Sequence, residues 1–183
     1  LAQVRVRGAE ANHVLVMVDG IEVNDLAQGS EFNFAHLNLA SVKRVEVLRG
    51  PHSALWGSDA LAGVVHVTTV DRSDDPRGSI EAGAGSNGPG QGGARFAQGG
   101  FAAYADWFET DGTNVSRQGT EDDGYENRTI GASYTGELSE SARVALTLRR
   151  VDAETEFDGF DFVTTGLPVD AENVTEKEAT HLG

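Results

Sequence analysis

Period-two alternation governs what the second half of this chain can become. In Ala142-Arg143-Val144-Ala145-Leu146-Thr147-Leu148-Arg149 the even positions are apolar and the odd ones mostly polar or small. Segments 79–84, 101–107 and 129–135 repeat the pattern. Successive side chains of a strand point to opposite faces, so such a segment makes a sheet with one apolar and one polar side. The alternation predicts strands at about 77–85, 93–98, 101–110, 126–136 and 142–154, joined by links 86–92, 99–100, 111–125, 137–141 and 155–173. Apolar-out, polar-in strands of about ten residues, with connections alternately short and long, are the pattern of a membrane β-barrel. A one-sided soluble sheet would show the same alternation. No run of about 18 apolar residues occurs, so no transmembrane helix is expected.

The first seventy residues read differently. Val14-Leu15-Val16-Met17-Val18 is β-branched without alternation, which suits a strand buried on both faces. Asp19-Gly20 then predicts a tight hairpin into Ile21-Glu22-Val23, because Gly tolerates the positive φ of a primed turn. Further strands are expected at 43–48, with Val45 and Val47 on one face, and at 63–69. Pro51 cannot donate to a ladder, so the chain must turn at Arg49-Gly50-Pro51, and a short helix is expected from Pro51. The result is a small mixed α/β unit. Charge marks where it ends. Residues 1–70 hold five Lys/Arg against seven Asp/Glu, a net of −2; residues 71–183 hold nine against twenty-two, a net of −13. The expected domains are therefore 1–70 and 71–183. Leu1-Ala2-Gln3-Val4 reads as mid-strand and the chain closes on Thr180-His181-Leu182-Gly183, so both ends are expected to be internal to a longer protein.

Three pieces stand in fixed order and spacing: residues 15–20, residues 45–51, and Leu55-Trp56-Gly57-Ser58-Asp59-Ala60-Leu61-Ala62-Gly63-Val64-Val65-His66-Val67. Together they resemble the plug of TonB-dependent receptors. Trp56 stands where that family has Tyr, Ala62 where it has Gly, and His66 where it has Asn. The resemblance implies a plug followed by antiparallel strands of an incomplete transmembrane β-barrel of about 22 strands. It implies energy-coupled uptake of a scarce nutrient across the bacterial outer membrane, with TonB engaging a segment N-terminal to this chain. The type it looks most like transports cobalamin; ferric-siderophore or haem receptors share nearly all the motifs. Asp19, Gly20, Glu46, Arg49, Gly50, Pro51, Gly57, Asp59 and Gly63 are the plug's structural motif. The glycines serve backbone geometry. Asp59 is expected to cap the turn after Gly57. Glu46 and Arg49 are expected to form a plug-to-wall ion pair rather than a solvated one.

Recognition usually sits on loops held by a rigid scaffold. Loops 24–34 and 50–57 therefore supply the candidate substrate contacts: Asn24, Asp25, Ser30, Phe32, His52 and Trp56. Trp107 and Tyr134 are expected interface anchors. The acidic links 111–125 and 155–173 suggest calcium held by Glu121, Asp123 and Asp152, since clustered carboxylates favour a hard cation. A solvated acidic surface facing lipopolysaccharide is the plainer alternative. No other cofactor is required. A net charge of −15 disfavours nucleic acid. The absence of Cys excludes disulfides and thiolate metal sites. Five His residues show no metal-ligand spacing and no catalytic motif is present, so an enzyme is not expected. A soluble calcium-binding β-protein or adhesin module would need an acidic Gly repeat, which the sequence lacks.

Overall fold

The computed structural model describes residues 2–69, 73–114, 122–160, 166 and 168–183. Two sheets divide the chain. The first has four strands, β1 (Val14–Val18), β2 (Ile21–Glu22), β3 (Arg44–Arg49) and β4 (Gly63–Thr68), in the order β2-β1-β4-β3. β1 runs parallel to β4, and the other two pairs are antiparallel. The single helical turn α1 (Ser53–Trp56) follows the Gly50-Pro51 break. Four short 3-10 turns carry the long connection and the N-terminal approach. No hydrophobic periodicity announces them. Three start at Asp25, Asn33 and Asn38, whose side chains accept from the amide two residues on. That is the Asx turn, in which a short polar side chain stands in for a backbone acceptor.

β1 and β4 lie at the centre, and they are covered on both sides. Val14, Val16, Val18, Val65 and Val67 form one core with Val6, Val23 and Phe32. Leu15 and Val64 form another with Ala60. This is why Val14–Val18 shows no alternation. At the hairpin Asp19 and Gly20 both take positive φ, as the primed turn requires. The Asp19 carboxylate then accepts from the Thr69 amide at 2.8 Å and from the Thr69 hydroxyl. β3 is the edge and is exposed along its length. Glu46 does not reach the second sheet: its partners are Arg44 at 3.3 Å and His66 at 3.8 Å, both in this sheet. The wall strands present here face the other flank of the plug, where the 3-10 turns lie.

The second sheet is a six-stranded antiparallel meander in chain order, and it does not close. Its strands are β5 (Arg77–Gly83), β6 (Gly90–Gln98), β7 (Phe101–Thr110), β8 (Tyr125–Ser139), β9 (Ala142–Phe160) and β10 (Pro168–Leu182). The expected domain boundary falls on residues 70–72, outside the described residues. Two expected links turn out shorter. Glu137 belongs to β8, leaving a turn at residues 140–141. Link 155–173 is largely strand, because β9 runs to Phe160 and β10 starts at Pro168. Its charge density suggests a loop, yet the alternation continues. Asp152, Glu154 and Glu156 occupy every second position, while the alternate residues Val151 and Ala153 are buried.

The register fixes the faces. Ala132 pairs with Leu148, Tyr134 with Leu146, and Ile130 with Arg150. Ile130, Tyr134, Leu146 and Leu148 are exposed on the side away from the plug, as expected; Trp107 and Phe101 share that side by parity along β7. Thr129, Asn127 and Val151 are buried on the plug side.

Gly63 offers a test of the plug. A Cβ there would stand 2.5 Å from the Leu48 carbonyl oxygen, a backbone atom of the neighbouring strand. Gly63→Ala should destabilise the plug by about 1–3 kcal/mol, the usual cost of overpacking. Denaturant midpoints of the full-length protein read this, and an unchanged midpoint would mean that β3 and β4 are not so closely paired.

Candidate functional site

The site grows from the way the plug is seated against the wall. Ile21, beside the hairpin turn, lies against Gly183, which bonds Thr147 in both directions. The opposite end of the plug sheet therefore points toward the end of the meander carrying links 84–89, 111–124 and 161–167. Loop 24–34 lies at that end, along β9 and β10.

Here the plug meets the wall through polar contacts. The Asp25 carboxylate pairs with the Lys177 ammonium. That ammonium bond holds the Asp25 carboxyl below its ordinary value, against the opposing effect of burial. Arg149, buried at 4% exposure, donates to the His36 carbonyl at 3.4 Å. The Tyr125 hydroxyl donates to the Ala35 carbonyl at 2.8 Å and accepts from the Asn127 amide at 2.9 Å. It also lies 3.1 Å from His36 Nδ1, with the two rings stacked at 6.1 Å. Asn33 Nδ2 stands 3.0 Å from His36 Nε2. An amide nitrogen can only donate, so Nε2 accepts and Nδ1 carries the proton toward Tyr125. His36 is thus locked in one neutral tautomer. Burial first, then the charges of Lys177 and Arg149, lower its pKa.

Between loop 24–34 and strands β9 and β10 lies a cavity of about 410 Å³, lined by Asp25, Phe32, His36, Arg149, Lys177 and His181 among others. The candidate contacts divide around it. Asp25 lines it. Asn24 also lines it, but its side chain is spent on the fold: it accepts from the Val16 amide at 2.7 Å and donates to the Val14 and Ser30 carbonyls at 3.0 and 2.8 Å. Phe32 belongs to the core and packs edge-on against Phe34 at 4.9 Å. Ser30 contributes its carbonyl to Asn24 from a positive-φ turn. His52 and Trp56 sit at α1, away from this cavity. Asp59 accepts from the Ser58 hydroxyl at 3.1 Å and lies near Glu22, whose carboxyl is pushed up by burial first and by Asp59 second. His36, Arg149, Lys177 and His181 are not singled out by the sequence patterns. Parity could have found the last three, since they fall on the inward positions of β9 and β10.

Glu121 lies outside the described residues. Asp152 faces outward and receives a bidentate pair from Arg150 at 2.7 and 3.0 Å. It stands opposite Arg128, five positions along the chain from Asp123. The acidic residues form an outward band. Glu109, Glu126, Glu154 and Glu176 are successive cross-strand neighbours on β7, β8, β9 and β10. Like charges directly opposite are unfavourable, and the Arg128–Glu126 and Arg150–Asp152 pairs lie beside them.

Comparison with known proteins places this arrangement. A family model described as TonB-dependent Receptor Plug Domain matches residues 1–64. The chain is 36% identical over 163 residues to the vitamin B12 transporter BtuB of Vibrio vulnificus, covering 86% of this chain and 27% of that protein. It is 31% identical over 173 residues to the vitamin B12 transporter BtuB of Photobacterium profundum, covering 85% and 27%. The chain thus spans about a quarter of these relatives' length. Among solved structures it resembles the siderophore receptor PirA from Acinetobacter baumannii, with TM-score 0.65, 17% identity, and coverage of 96% of this chain and 30% of that one. It also resembles the FrpB iron transporter from Neisseria meningitidis (F3-3 variant), with TM-score 0.61, 17% identity, and coverage of 92% and 29%. At that identity these two likenesses show the fold: a plug with part of an antiparallel sheet.

The His36 contact carries a pH prediction. Its folded pKa lies below the unfolded value of about 6.5, so the neutral contact contributes fully above that pH and is lost as pH falls toward the folded pKa. Protonation would put a hydrogen on Nε2, facing the Asn33 amide. The melting temperature of the full-length protein should drop on acidification below about pH 6.5, and His36→Gln should flatten that drop. An equal drop in both proteins would remove His36 as the cause.

Proposed function

Since this chain carries the plug of a TonB-dependent receptor, we propose that the intact protein takes up a scarce nutrient across the bacterial outer membrane, and that the nutrient is cobalamin. The observation behind it is a plug domain seated on the inward face of a strand meander through polar contacts, with an apolar outward face. Polar seating suits a plug that must move relative to its wall. The proposed partner is TonB, pulling on a segment N-terminal to Leu1. The cobalamin assignment is supported by two relatives, each named a vitamin B12 transporter, whose likeness of 36% and 31% runs through both plug and strands. The work is binding and transport rather than catalysis. Ferric siderophores are the second reading, favoured by the PirA receptor of Pseudomonas aeruginosa, at 25% identity and TM-score 0.59.

The outward face is proposed to contact outer-membrane lipid. Across β6 to β10 one row reads Phe96, Ala103, Ala132, Leu148 and Leu182, all apolar. Two rows further toward the external links, the outward positions of β8 to β10 are charged, at the level expected for lipopolysaccharide head groups.

Two measurements test this reading. Titration of the full-length receptor with cobalamin and with ferric siderophores should show saturable binding of cobalamin; binding of a siderophore alone would move the substrate, and binding of neither would remove the uptake reading. Repeating it with calcium and with a chelator, at constant ionic strength, tests the calcium expectation. Leu146→Arg should cost about 2–4 kcal/mol if the residue sits near the bilayer midplane. Assembly of that variant with unchanged stability would take this face out of lipid.

A further inference from the structure

The chain's net charge of −15 conceals a separation of sign across β9 and β10. On their outward side stand Asp152, Glu154, Glu156, Glu176 and Glu178. On the plug side, from Arg149 to Ala153 and from Lys177 to His181, the residues are Arg149, Val151, Ala153, Lys177, Ala179 and His181, with no carboxylate among them. Glu178 also borders the cavity, but its carboxylate turns outward to Arg150 at 3.6 Å, so the wall side chains on the plug side are cationic or neutral.

Arg149 is the most constrained of them. It is buried at 4% exposure and lines the cavity. One described acceptor is the His36 carbonyl, at a long 3.4 Å. Beyond Gly131 in the same cross-strand row lies Tyr104, whose buried hydroxyl interacts with the guanidinium as a neutral partner. A guanidinium presents its N–H donors in a rigid fork matched to carboxylate and phosphate. A buried guanidinium whose described acceptors, the His36 carbonyl and the Tyr104 hydroxyl, are both neutral has no counter-charge in its fork. Asp25 does not fill it, because its carboxylate is taken by Lys177. Among the described residues the plug's other carboxylate on this cavity, Glu31, is bonded to Gln3.

We infer that the cavity between loop 24–34 and strands β9 and β10 is an oxyanion site, in which Arg149 grips a phosphate or carboxylate group and Lys177, two cross-strand rows further along, adds charge to the same cavity. Its volume of about 410 Å³ admits such a group with part of the molecule that carries it. An incoming oxyanion would compete with Asp25 for Lys177 and so loosen loop 24–34 from the wall. Anion binding itself does not depend on the uptake reading; that the anion belongs to the transported nutrient does.

The probe is inorganic phosphate, added to the full-length receptor in detergent at fixed pH and ionic strength, with chloride as the reference. The melting temperature should rise with phosphate and saturate. Arg149→Gln should weaken the half-saturating concentration by about tenfold or more, as expected for loss of a charge-assisted fork. Arg128→Gln, on the outward face, should leave it unchanged. If Arg149→Gln fails to assemble, Arg149→Lys decides, since it keeps the charge and loses the fork. A parallel titration with citrate separates carboxylate from phosphate as the accepted group. A response to either that Arg149 substitution weakens supports the site. A response to neither, or one that survives every Arg149 substitution, overturns it. Phosphate binding without any cobalamin or siderophore binding would leave this site standing and remove the uptake reading.

Discussion

In an antiparallel sheet each residue must choose a side, and its neighbour must take the other. That constraint organises nearly everything in the second half of this chain. Along β9 it puts Leu146, Leu148, Arg150, Asp152 and Glu154 on one face, and Thr147, Arg149, Val151 and Ala153 on the other. The outward face changes from apolar to charged as the strand proceeds, while the inward face stays fitted to the plug. A slip of one residue would bury Asp152 and Glu154 against the plug and expose Val151 and Ala153. The register is therefore fixed by burial as much as by hydrogen bonding.

The plug answers a different problem. Its central strands are buried on both faces, so every backbone group at their ends needs a partner out of water. Asn24 supplies one set, closing against Val14, Val16 and Ser30. Asp19 supplies another, closing against Thr69. These two side chains do with polar atoms what a longer strand would have done with its backbone. Once they hold the unit together, the 24–41 segment is free to meet the wall through Asp25, His36 and the Asx turns.

The same logic separates what can be read in the sequence from what cannot. Val14–Val18 and the Asp19-Gly20 hairpin are legible because local chemistry and tertiary setting agree there. The meander is legible through its alternation. The ends of β9 and β10 are not, because Glu154, Glu156 and Glu176 look like a solvated loop unless their odd-numbered neighbours are seen to face inward. The site is legible only in outline. Loop 24–34 does reach the cavity, but Asn24 and Phe32 are committed to the fold, and their residue types carry no mark of that. Contacts between residues as distant in sequence as His36 and Tyr125, or Asp25 and Lys177, have no local signal at all.

A membrane barrel requires the meander to have one face toward lipid and one toward the plug, and that can be measured directly. Single nitroxide labels placed in turn at positions 144 to 149 of the full-length receptor in lipid bilayers would report collisions with dissolved oxygen, which partitions into lipid. Two distinct faces predict high oxygen accessibility at 144, 146 and 148 and low accessibility with restricted motion at 147 and 149. Accessibility without a two-residue period, or with its maxima at 147 and 149, would contradict them.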